Sequence, residues 1–152
     1  MSQERPIQVA NGWAMLPVTI LIFAAGVWLF VRDASGAVWL SIGLFALLVL
    51  TNCALISRWE MDIDRLQGQT SLALESPRMA GLIAGLPWLA GLAAVVVLGA
   101  GPAELRPAAL AALASALLLA GVDRLEPRLG WPLARVMSDL ALMTPVAVLV
   151  LG

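Results

Sequence analysis

The stretch from Trp59 to Ala73 is the only long polar island in the chain, and an apolar segment long enough to cross a bilayer flanks it on each side. It holds Glu60, Asp62 and Asp64, three of the ten acids. A charged side chain at the centre of a bilayer costs about 2.5–3.5 kcal/mol on insertion scales. The island must therefore sit in the headgroup zone or line a wet cavity, and the rest of the chain must be arranged to leave it there. Composition agrees with that constraint: 61% of residues are hydrophobic, 12% are charged and the mean hydropathy is +0.94, whereas soluble domains carry about 25% charged residues. The fold class expected is an all-α integral membrane protein.

Along the chain, apolar runs over 13–31, 37–56, 80–100, 107–122 and 132–151 predict a bundle of about five transmembrane helices in a single domain. Residues 1–11 read as a short polar tail without the cleavage site of a signal peptide. Arg32 to Gly36 makes a turn too short for anything but antiparallel neighbours. The third run carries Gly81, Gly85, Gly91 and Gly99, which permit close helix approach, and Pro87, which predicts a kink. The fourth, at 16 residues, is short for a span, since about 20 are usual. Polar loops are expected over 57–79 and 123–131, and Trp131-Pro132 reads as the opening of the last helix.

Arginine placement orients this arrangement. Arg5, Arg58, Arg65, Arg78, Arg124, Arg128 and Arg135 fall on one side of a five-span topology, and Arg32 and Arg106 on the other. That bias predicts a multi-pass protein of a bacterial-type inner membrane, with the N-terminus and the acidic loop in the cytoplasm and the C-terminus opposite. The single cysteine, Cys53, allows no disulfide within one chain. With no histidine, the commonest metal ligand and general base is missing, and a metal would have to be a hard cation on carboxylates. No basic patch or aromatic platform points to nucleic acid.

Glu60, Asp62 and Asp64 alternate with Met61 and Ile63. In an extended segment all three carboxylates share a face; in a helix Glu60 and Asp64 do, at i and i+4, and Asp62 points away. Either way two carboxylates come together, which suits Mg2+, an ion that takes one or two protein carboxylates and fills its shell with water and phosphate oxygens. Arg58 and Arg65 are placed to meet such a phosphate. The bland alternative is a solvated acidic face.

The pattern Glu60-x-Asp62-x-Asp64-x-x-x-Gly68-x-x-Ser71-x-Ala73, directly after an apolar helix, resembles the second aspartate-rich motif of the UbiA-type intramembrane prenyltransferases. Two helices precede the motif and three follow, as in the C-terminal half of that family. The resemblance implies that Glu60, Asp62 and Asp64 hold one Mg2+ and that the departing diphosphate of a prenyl diphosphate is stabilised there. Glu60 stands where the family has aspartate. Nothing here matches the family's first motif, N-D-x-x-D-x-x-x-D, and Asn52 is followed by Cys53. The resemblance thus implies half a prenyltransferase site, completed by an N-terminal half, by a partner chain or by a second copy, or else a relative that has lost the activity. The competing expectation is a small non-catalytic integral subunit or scaffold of a larger membrane complex.

Asn52, late in the second apolar run, predicts either an interhelical hydrogen bond or a cavity-facing substrate contact. Asp139 lies about 10 Å into the last helix and is either paired with Arg135, one turn earlier, or engaged with substrate or a proton. Asp123, Arg124, Glu126 and Arg128 read as solvated loop charges, and Thr144-Pro145 as a local kink. Gln67, Gln69, Thr70 and Ser71 bring no base beside a nucleophile, so no hydrolase constellation is present.

Overall fold

A computed structural model describes residues 35–68 and 77–144. All regular structure among them is helical. Helix α1 runs over Gly36–Trp59, the short α2 over Met61–Leu66, α3 over Pro77–Ala100, a 3-10 turn over Ala103–Leu105, α4 over Arg106–Leu129 and α5 over Trp131–Ala141. Three helical stretches, Gly36–Trp59, Arg78–Ala100 and Ala103–Leu129, are long and apolar enough to cross a membrane. The all-α membrane class therefore holds. The expected span 13–31 and the part of the last expected span beyond 144 lie outside the described residues; three candidate spans are on view, and within the expected last span 132–151 the helix α5 ends at Ala141, capped by Leu142.

Two boundaries differ from the sequence expectation. The fourth helix was expected to end at 122, with a polar loop over 123–131; instead α4 continues as helix to Leu129. Hydropathy marks where a segment leaves hydrocarbon, and leucine, arginine and glutamate remain good helix formers beyond that depth. Pro127 falls in the last turn, where the N–H it lacks leaves one backbone bond, to the Asp123 carbonyl, unmade. What stops the helix is Gly130, whose φ of 77° and ψ of 152° lie in a region essentially reserved for glycine, with its N–H donating to the Glu126 carbonyl at 2.8 Å. Trp131 and Pro132 then open α5, proline occupying a first-turn position as expected. The same correction applies to the loop expected over 57–79: its start belongs to α1 and Met61–Leu66 form α2, separated only by Glu60 at φ −88° and ψ 1°.

The helices run alternately up and down. The end of α1 meets the end of α4 and the start of α5, while the start of α1 lies beside the start of α4 and the end of α3. α3 and α4 share the most extensive contact, followed by α4 and α5. The side chains there are small. Gly91 of α3 faces Ala116 and Leu113 of α4, and α5 turns the i, i+4, i+7 stripe Ala134, Ser138 and Ala141 inward. Small residues let backbones approach until dispersion compensates for the absence of a hydrophobic drive within lipid. Of the four glycines expected to serve close approach in the third span, Gly91 does so; a Cβ at Gly81, Gly85 or Gly99 would meet nothing. Pro87 sits within α3, fully buried, and the helix runs on through it to Ala100.

Leu48, Leu55, Ile83, Ala94, Ala109, Ala116 and Leu119 form the centre of the bundle. Leu82, Leu92, Val96, Leu110 and Leu140 are more than half exposed, which places large apolar side chains outward on α3, α4 and α5. A soluble protein of this size does not cover itself with leucine and valine; contact with lipid accounts for the pattern.

Candidate functional site

At one end of the bundle the last turns of α1, the start of α3, the last turns of α4 and the start of α5 converge. α1 delivers Arg58 and Trp59. The Arg58 guanidinium donates through Nη2 to Asp123 Oδ1 on α4, and Trp59 Nε1 donates to the same oxygen at 2.9 Å. Asp123 reaches them because it continues the buried stripe Ala112, Ala116, Leu119 at helical spacing. The ionic pair is mostly shielded, with side chains 22% and 12% exposed. A charge-assisted bond in that setting is stronger than its surface counterpart, and removing one partner leaves the other expensive.

α1 also ties to α5. Arg135 Nη1 donates to Glu60 Oε1 at 2.9 Å, and Asn52 Nδ2 donates to Asp139 Oδ1 at 3.0 Å. The expected ion pair between Arg135 and Asp139 is therefore replaced by two cross-helix contacts. The physical reason is the neighbour: Arg135 and Asp139 share one face of α5 at i and i+4, and the antiparallel α1 lays Glu60 and Asn52 along that face. Counting 1.5 Å per residue, the Asn52–Asp139 contact lies about 6–12 Å further into the bundle than Glu60–Arg135. Asn52 is 5% exposed, and its Oδ1 has no hydrogen-bond partner.

The remaining acids of the island behave differently. Asp62 on α2 is 94% exposed and, among the described residues, pairs with Arg65 at 3.8 Å. Asp64 sits half-buried one turn past Glu60, its N–H donating to the Glu60 carbonyl at 2.9 Å. Glu60, Asp62 and Asp64, expected to act together, are not gathered: Glu60 is turned to Arg135 and Asp62 to solvent. Among the described residues no group of three acidic, cysteine or histidine side chains is placed to hold a metal ion. Ser71 and Ala73, which complete the motif, lie outside the described residues.

Beside this end opens a mixed-polarity groove of about 480 Å³, lined by Arg58, Trp59, Met61, Asp62, Gly81 and Glu126. Arg124 stacks over the Trp88 ring at 4.9 Å from its centroid, a cation–π contact between α4 and α3. Sequence reasoning missed Asp123, Arg124 and Arg135 as cross-helix partners because Asp123 and Arg124 read as loop charges and Arg135 as the mate of Asp139. The signal existed: the spacing of Ala112, Ala116 and Leu119 extends unbroken to Asp123. No family model, curated protein or solved structure matches this chain.

Proposed function

We propose that this protein is a non-catalytic integral membrane subunit whose charged end locks its own helices together and presents α2 as a contact surface at the membrane face. The observation that supports this reading is the fate of the candidate ligands. Arg58, Glu60, Asn52 and Asp139 are each engaged with another helix of the same chain, so groups that a diphosphate or Mg2+ would need serve as interhelical ties. Asp62 and Arg65 on α2, both exposed, remain available to a partner. The positive-inside bias of the arginines assigns this face to the cytoplasm.

A second reading, the UbiA-like half-site that binds Mg2+ and a prenyl diphosphate, draws support from the groove beside Arg58, Asp62 and Glu126, which is open and polar at the membrane face. One experiment separates the two. The detergent-solubilised protein is melted with Mg2+ and a prenyl diphosphate, alone and together, and compared with Asp62→Ala/Asp64→Ala. The subunit reading expects no shift beyond that of detergent controls. A rise in Tm that needs both additives and vanishes in the double variant would overturn it. Native mass spectrometry from the source membrane supplies the complementary test, since a subunit leaves the bilayer in an assembly heavier than the 16.0 kDa chain.

A further inference from the structure

α5 is thinly covered by its own bundle. Ala134, Ser138 and Ala141 are its buried residues, while Val136 and Leu140 stand more than half exposed. Amid that apolar surface Asp139 is exposed as well. It lies about 12 Å along α5 from Trp131, and Asn52, which it touches, lies about 10 Å inside the Trp59 end of α1. α1 is about 36 Å long against about 30 Å of hydrocarbon, so the contact falls below the headgroups. A carboxylate at that depth is costly and almost always pairs with another group or faces an interior.

Among the described residues no cation meets Asp139. Its partner there is the neutral Asn52 amide, at 3.0 Å. Arg135, one turn nearer the surface, donates to Glu60, and Arg58 donates to Asp123. No basic residue falls within 13–31, 36–57, 79–100, 107–122 or 136–152. Asn52 adds to the surplus of acceptors, since its buried Oδ1 has no donor among the described residues. A lysine or arginine side chain brings several donors and no acceptor. A lipid amine stays in the headgroup layer and a soluble protein cannot pass it; at this depth a spanning helix, its backbone internally bonded, delivers such a group. We propose that the outer face of α5 around Asp139 is an intramembrane docking surface for a partner helix carrying a lysine or arginine at the same depth, whose cation pairs with the Asp139 carboxylate. The inference rests on the subunit reading above and extends its contact surface from α2 into the bilayer.

Two synthetic spanning helices serve as probes, identical leucine–alanine sequences in which the residue about 12 Å from one end is either lysine or leucine. Each carries an acceptor dye and is mixed, in phosphatidylcholine vesicles, with the full chain carrying a donor dye at its N-terminus. Energy transfer should show the lysine helix binding about tenfold tighter than the leucine helix. That preference should vanish in Asp139→Asn and persist in Asp139→Glu and Asp62→Ala. Asp139→Asn keeps an acceptor for Asn52 and should melt no lower than wild type without a probe helix, which separates lost docking from lost folding. Where Asp139→Asn does melt lower, Asp139→Glu decides, since it keeps the charge. Equal binding of both helices by wild type, or a lysine preference that survives Asp139→Asn, overturns the inference. Failure of the subunit reading registers elsewhere: native mass spectrometry from the source membrane would then show the 16.0 kDa chain alone, whatever the vesicles report.

Discussion

Glu60 and Asp62 stand two residues apart in one acidic island and meet opposite fates. Glu60, at the hinge between α1 and α2, reaches across to Arg135 of α5, while Asp62, on the outer side of a six-residue helix, pairs among the described residues with Arg65 at 3.8 Å. Arg58, two residues earlier, goes further still and is drawn between α1 and α4 to Asp123. Within seven residues the chain passes from a shielded interhelical tie, through a half-exposed one, to free surface charge. What separates them is the position of α4 and α5, and burial then sets the energy: the same pair of charges is worth several kcal/mol to disrupt when shielded and close to nothing when solvated.

The largest effect should come from the shielded tie. Asp123→Ala removes the acceptor of both Arg58 and Trp59, and should cost about 3 kcal/mol, discounted from the upper range because Arg58 retains some contact with water. Equilibrium unfolding in mixed micelles reads this loss, and a cycle with Arg58→Met should recover part of it. If Asp123→Ala is as mild as a surface change, the contrast between the two halves of the island fails. Next comes Ser138→Leu, which forces a large side chain into the close contact of α5 with its neighbours; about 1–3 kcal/mol is expected from overpacking, read in the same assay. It asks whether close packing or charge is the stronger tie of α5.

Arg135→Ala sharpens the middle of the comparison. Its pair with Glu60 is 54% and 24% exposed, so a loss of about 0.5 kcal/mol is expected, shrinking as salt is raised. The smallest effect belongs to Asp62→Ala and Arg65→Ala, each within about 0.5 kcal/mol of wild type, since nothing in the bundle depends on them. Should Asp62→Ala leave stability unchanged yet release a bound partner from the native assembly, the outer half of the island is a contact surface. Should it instead remove an Mg2+-dependent thermal shift, the half-site reading takes its place.

The membrane class, the three described spans and the polar end of the bundle were legible in the sequence. Each follows from the cost of placing charge or unpaired backbone in hydrocarbon, which acts on every residue regardless of its neighbours. Trp131-Pro132 likewise marked the opening of α5, by backbone geometry alone. The importance of Asn52, Arg58, Glu60 and Asp139 was also visible, because polar groups beside apolar runs demand partners. Their partners were not. Asp123 looked like a loop charge and Arg135 looked like the mate of Asp139, since sequence spacing ranks contacts along one helix and says nothing about the helix that lies across it. Only the packing of α1, parallel to α4 and antiparallel to α5, decided that Arg58 meets Asp123, Glu60 meets Arg135 and Asn52 meets Asp139. The sequence dictated which groups could not stay alone, through desolvation; the tertiary structure chose their companions, through proximity.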